Sequence, residues 1–92
     1  MNIRQLRILT LLLEGELSTS EIEEYTGISG SRLKKELDAL MRRDLIEQKA
    51  IIGGELILSI TQNGIEELMR EYPVLKDLLE EMEQVLCLRF GC

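Results

Sequence analysis

Between residues 18 and 29 the chain carries a helix start, a helix stop and a second helix start. Ser18-Thr19-Ser20-Glu21 is a capping box, in which hydroxyl and carboxylate satisfy amides that a helix leaves unpaired at its beginning. It opens a short helix through Tyr25 with Ile22 pointing inward, and Thr26-Gly27 breaks it. Ser29 then caps a longer helix running to about Arg43, with Leu33, Leu37, Leu40 and Met41 on its buried face. A hundred degrees per residue places Ser31, Arg32, Lys35, Asp38, Ala39 and Arg42 on the opposite face. Two helices so close in sequence, each with one apolar side, must cross sharply around a common core.

The flanks complete a small mixed architecture. Asn2 and Gln5 form another capping box, and Ile3, Leu6, Leu9 and Leu13 follow at helical spacing until Gly15. Ile8, Leu11 and Leu12 add a second apolar face, so this first helix requires cover on two sides. Residues 45–52 and 55–60 flank Gly53-Gly54, a two-residue hairpin turn. The second of these strands alternates cleanly through Leu56, Leu58 and Ile60; the first does not. Thr61 caps a fourth helix expected to stop at Tyr72, because Pro73 restrains the residue before it. From Val74 to about Arg89 an amphipathic helix resumes, with Leu75, Leu78, Leu79, Met82, Val85 and Leu86 in one stripe. The expected fold is mostly α with a small β-hairpin, organised as a domain over residues 1–72 and a C-terminal helix with a cysteine-containing tail over 73–92.

Charge separates along the chain. The net value is −6, which argues against a surface that binds nucleic acid everywhere or rests on anionic membrane. Residues 1–13 nevertheless hold only Arg4 and Arg7 as charged groups, and residues 14–28 only glutamates. The dense basic cluster, Arg32, Lys34, Lys35, Arg42, Arg43 and Lys49, falls in residues 29–49. With 18 Leu, 10 Ile and no Trp or His, the core is aliphatic, and the commonest general base and metal ligand is missing.

The run from Leu17 to Ile46 resembles a winged helix-turn-helix core, with Gly27 in the turn and Leu45-Ile46 leading into the wing. Leu58-Ser59-Ile60-Thr61-Gln62-Asn63-Gly64 resembles the Leu-Thr-x-x-Gly signature that follows the wing in MarR-, PadR- and ArsR-like regulators. Size, lack of His and richness in Glu and Ile resemble small archaeal or archaeal-virus members. The resemblance implies a sequence-specific transcriptional regulator that binds double-stranded DNA as a homodimer, its recognition helix in the major groove. The DNA-binding residues it implies are Ser29, Gly30, Ser31, Arg32, Lys34, Lys35, Arg42 and Lys49. It assigns dimerisation to Ile8 and Leu12 of the first helix and to Leu75, Leu78, Leu79, Met82, Val85 and Leu86.

A second reading stays open, that of an acidic winged-helix module that binds protein and no DNA. The wing reads Ala50-Ile51-Ile52-Gly53-Gly54-Glu55-Leu56 with Lys49 as its only base, and Asp38 stands on the recognition face. Catalysis is not expected: Gly53-Gly54 lies between strands rather than before a helix, and the paired glutamates have no positioned base beside them. Neither cofactor nor metal is implied, and no motif specifies a small-molecule effector. Cys87 and Cys92 are thiols or a disulfide pair. The six-residue apolar run at 8–13 is followed by Glu14-Gly15-Glu16, unlike a signal peptide, and no uncharged run could span a membrane. These features imply a cytoplasmic protein.

Overall fold

A computed structural model describes residues 1–91. Along the chain run α1 (Ile3–Leu12), β1 (Leu17–Ser18), α2 (Thr19–Thr26), α3 (Gly30–Arg42), β2 (Ile46–Ile52), β3 (Glu55–Ile60) and α4 (Gln62–Phe90). The three strands form an antiparallel sheet in the order β1-β3-β2. This is the winged helix-turn-helix expected from the sequence, with α2 and α3 as the helical pair and β2–β3 as the wing.

The starts of α1, α2 and α4 are built by the residues expected there. The Asn2 side chain accepts from the Gln5 amide at 2.8 Å, and Ser18 accepts from the Glu21 amide at 3.2 Å while Glu21 accepts from the Ser18 amide at 3.0 Å. Ser29 holds the N-cap position of α3, but its side chain makes no capping hydrogen bond. The turn between α2 and α3 is fixed by Gly27, whose φ of 71° is left-handed, and by Thr26. The Thr26 hydroxyl donates to the Ile22 carbonyl at 2.7 Å and accepts from the Ile28 amide at 3.1 Å, closing the turn from inside.

Ile8, Leu9, Ile22, Leu40, Ile46 and Leu58 are the most deeply buried large side chains, and Leu12, Ile28, Leu33, Leu37 and Leu45 complete the core. Every α-element but the distal part of α4 contributes to it. Ile8 and Leu12, expected at a dimer interface, are 0% and 2% exposed and offer no surface to a second chain. The reason is that β3, α2 and α3 all pack on α1, so the domain itself covers the second apolar face. Ile3 and Leu13 are the apolar side chains of this helix that remain outside.

Three further differences from the sequence reading have simple causes. β1 is only two residues long; it pairs Leu17 with Leu58 and Ser18 with Ile57, a segment too brief to show alternation. The uneven pattern of β2 reflects a register shift between Gln48 and Ala50, which leaves Lys49 as an extra residue opposite β3. The third concerns Pro73, which does not interrupt the last helix: α4 is one rod of 29 residues. Proline removes the amide that would donate to the Met69 carbonyl. Met69 and Pro73 are both exposed, so water can take that donor's place. The boundary expected at 72/73 therefore falls inside a continuous helix.

The link from wing to α4 is closely packed. The Thr61 amide donates to the Leu45 carbonyl at 3.0 Å, and the Thr61 hydroxyl donates to the Asp44 carbonyl at 2.6 Å while accepting from the Gly64 amide at 3.1 Å. A Cβ on Gly64 would stand 2.2 Å from the Leu45 carbonyl oxygen and 2.6 Å from Ile60 Cγ1. That space is why the Thr-x-x-Gly signature ends in glycine. Asp44, at φ 59°, accepts from the Asn63 side chain at 2.9 Å, and Glu67 pairs with Arg43 at 3.5 Å and with Arg70 at 2.6 Å.

At the other end of β3, Glu55 accepts from the Ser20 amide at 3.0 Å and from the Ser20 and Thr19 hydroxyls, fastening the wing to the start of α2. The Ser20 hydroxyl and amide hold the Glu55 carboxyl below its ordinary value of 4.5, against a smaller opposing effect of desolvation. Glu67 is lowered as well, by its hydrogen bond to Arg70 above all.

Two outcomes follow. Gly64→Ala should destabilise the fold by roughly 2–3 kcal/mol because the clash is with backbone. Gly27→Ala meets no atom within 4 Å and should cost only about 1 kcal/mol of left-handed strain; thermal melts of both variants test the order. A carboxyl lowered on folding contributes stability that is complete above its unfolded value and lost as pH falls through its folded value. The melting temperature should therefore fall between about pH 5 and about pH 3, less steeply in Glu55→Gln than in the parent.

Candidate nucleic-acid interface

The exposed side of α3 is set by its four buried residues, Leu33, Glu36, Leu37 and Leu40. Ser31, Lys35, Asp38 and Arg42 run along the centre of the opposite side, with Arg32 and Lys34 on its two edges. Ser29, Gly30, Ser31, Arg32, Lys34, Lys35, Arg42 and Lys49 are all exposed, as an interface requires.

They do not form one patch. Ser29, Gly30, Ser31 and Arg32 line a polar cleft of about 540 Å³ beside the α2–α3 turn. Lys35 lines an adjoining one together with Ser31 and Arg32. Lys34 faces the other way, into a groove shared with Glu23 of α2 and Gly54 at the wing tip. There Lys34 Nζ lies 3.1 Å from Asp38, so the acid on the exposed side of α3 is neutralised by its neighbour one turn back. Arg42 stands roughly 16 Å along the helix from Ser31 at 1.5 Å per residue. Lys49 sits at the wing bulge, 3.2 Å from Glu47. Arg7, Arg32, Lys35 and Arg42 have no ion pair among the described residues.

Gly30 has φ 60° and no atom within 4 Å of where a Cβ would be. Its glycine is required by backbone conformation rather than by close packing. With Ser29 making no side-chain cap, the amides of the first turn of α3 are left to other acceptors.

Sequence reasoning missed Arg4 and Arg7 of α1, which line the same cleft as Arg32. The sign was there in the positive first thirteen residues of an acidic chain, but nothing in the sequence brings that segment beside α3. The buried acid Glu36 does so. At 7% exposure, it accepts from the Asn2 side chain at 3.2 Å and from Gln5 at 3.2 Å, and it lies 3.7 Å from Arg4.

Most of the C-terminal stripe is uncovered among the described residues. Leu78, Leu79, Met82, Val85 and Leu86 are each about half exposed, between 48% and 57%, while Leu75 is partly covered. An open apolar groove of about 460 Å³, lined by Leu6 and Leu13 of α1 and by Leu68, Tyr72 and Leu75 of α4, extends the stripe toward the domain. Cys87 is not a free thiol, and Cys92 lies outside the described residues. Among the described residues no cluster of three or more His, Cys, Asp or Glu could hold a metal ion, and no helix is long and apolar enough to cross a membrane.

Known structures share this architecture over nearly the whole chain. RosR of H. salinarum is 25% identical with a TM-score of 0.70, covering 95% of this chain and 91% of that one. ZitR of Lactococcus lactis is 21% identical with a TM-score of 0.74, over 92% of this chain and 60% of that one. A MarR mutant from E. coli, solved in complex with operator DNA, is 16% identical with a TM-score of 0.76, over 88% and 61%. In sequence, the riboflavin kinase of Methanosarcina barkeri is 40% identical over 57 residues, and that of Methanosarcina mazei 39% over the same length. Those matches cover 62% of this chain and 25% of each kinase, so the chain spans about a quarter of the length of these curated relatives. The model of the arsR family of bacterial regulatory proteins matches residues 3–48, half of the chain, from the first turn of α1 to the third residue of the wing. The chain belongs to that family.

Proposed function

We propose that the protein is a transcriptional regulator that binds double-stranded DNA sequence-specifically as a homodimer, with α3 in the major groove. The observation that carries this is three exposed bases on α3, Arg32, Lys35 and Arg42, with no ion pair among the described residues, in a chain of net charge −6. Arg32 has the planar fork that reads guanine edges, whereas Lys35 suits phosphate. The acidic remainder opposes indiscriminate binding, which favours separation of specific from non-specific sites.

The homodimer is supported by the half-exposed stripe on α4. A monomer would leave these half-exposed side chains in water, and covering the exposed half of each contributes roughly 1 kcal/mol. Two α4 helices packed along this stripe would pair two recognition helices, as reading two half-sites requires. Ile8 and Leu12 act in this arrangement only by supporting α1 from beneath, since the core already holds them.

A second reading has its own observation. Ile51 and Ile52 at the wing are 63% and 66% exposed, and Lys49 beside them is paired with Glu47. Such a wing suits a protein partner better than a minor groove.

In a screen of genomic fragments by mobility shift, Arg32→Ala should cost about 1–3 kcal/mol and relax one base position. Lys35→Ala should weaken all sequences alike and flatten the salt dependence by about one unit. Lys49→Ala should matter least. If no fragment shifts at low salt, while Ile51→Ser and Ile52→Ser abolish capture of a protein partner, the second reading replaces the first. The full chain should scatter light as a dimer at micromolar concentration, and Leu79→Glu with Met82→Glu should yield a helical monomer.

A further inference from the structure

The surface proposed to read DNA does not stop at α3. We propose that Arg4 and Arg7 of α1, set beside Arg32, form a clamp for backbone phosphates of the bound duplex, with Glu36 as the positioning residue that holds Arg4 in it. The inference rests on the DNA-binding reading above and adds a contact from a second element.

Three guanidinium groups from two helices line one cleft at the start of α3. Gathering like charges costs repulsion unless an anion offsets it, and no acid lines that cleft. Arg7 and Arg32 are exposed and have no ion pair among the described residues. Arg4 does meet an acid, Glu36, but end-on through one Nη1 at 3.7 Å, and its side chain keeps 47% exposure. A guanidinium has five donors, so at 3.7 Å from a single acid Arg4 keeps donors for a further acceptor.

Glu36 explains why Arg4 is there. A buried carboxylate is costly unless it is paired and hydrogen-bonded. Its partners all come from the first turn of α1: both oxygens accept from Asn2, one accepts from Gln5, and Arg4 supplies the charge. Asn2 is at the same time the cap of α1. One acid on the inner side of the recognition helix thus ties the start of α1 to α3. The occupant is duplex DNA rather than a free anion, because Ser31 and Arg32, which lie at the start of α3, form a wall of the same cleft. A duplex read by α3 would bring a phosphate strand over α1.

The test is binding of the full chain to a duplex fragment it shifts, measured by fluorescence anisotropy over a salt series. Arg4→Ala and Arg7→Ala should each weaken all duplexes about three- to tenfold near 0.1 M salt, and each should lower the log–log salt slope by about one unit. Base preference should not change. Glu36→Gln, with folding checked by melting, should lower the slope in the parent but not further in an Arg4→Ala background; a merely structural role would lower affinity equally in both. Lys76→Ala, on α4, should leave the slope unchanged. Unchanged slopes in both arginine variants, or an equal drop in Lys76→Ala, would overturn the clamp while leaving the DNA reading intact. Inorganic phosphate that competes beyond its ionic strength would also overturn it, by showing a free-anion site. A parent chain that shifts no duplex defeats the DNA reading itself, and the clamp with it.

Discussion

The carbonyl of Leu45 is the point on which the arrangement of this molecule turns. It accepts from the Thr61 amide at 3.0 Å, joining the entrance of the wing to its exit. Gly64 is pressed against the same oxygen so closely that no other residue fits. The bond closes the hairpin at its base, and the close approach sets where α4 leaves the domain. Because the Leu45 side chain belongs to the core and its own amide donates to the Leu40 carbonyl at 3.0 Å, the junction is also coupled to the end of α3. The end of α3, the base of the wing and the start of α4 therefore meet at one junction.

What the sequence disclosed and what it withheld divide along a physical line. Local signals were read correctly because they act over three or four residues: the Ser18 and Thr61 caps, the left-handed Gly27 and the Gly53-Gly54 turn all stand where expected. Features that depend on distant partners were not legible. α1 was seen to be apolar on two sides, but only packing shows that the domain covers Ile8 and Leu12 itself. The sequence offers Lys34 and Lys49 as DNA-binding residues, but it does not show that Lys34 pairs with Asp38 one turn away or that Lys49 sits at a bulge beside Glu47. The grouping of Arg4 with Arg32 required knowing that Glu36 is buried, and a glutamate in a charged helix gives no sign of that by itself.

Glu36 and Glu55 show two uses of a carboxylate in an acidic chain. Glu55 lies at the surface and satisfies donors at the start of α2, holding the wing tip to the helix below it. Glu36 lies inside and draws polar groups of α1 toward α3. Neither contributes to solubility as an ordinary surface glutamate does. Glu55 thus fixes the wing to α2, and Glu36 fixes α1 to α3, each adding a polar tie to elements that the aliphatic core already packs together.

Pro73 gives α4 a mechanical property that its unbroken outline hides. At 1.5 Å per residue the rod is about 43 Å long, and only its beginning is packed on α1 and β3. The missing amide unties the Met69 carbonyl in the last stretch that lines a groove with α1, so one rung of the helical ladder is absent near the base of the overhang. Bending there strains fewer hydrogen bonds than bending anywhere else along the rod. The distal stripe of the rod can therefore swing against the domain about this point without disturbing the core.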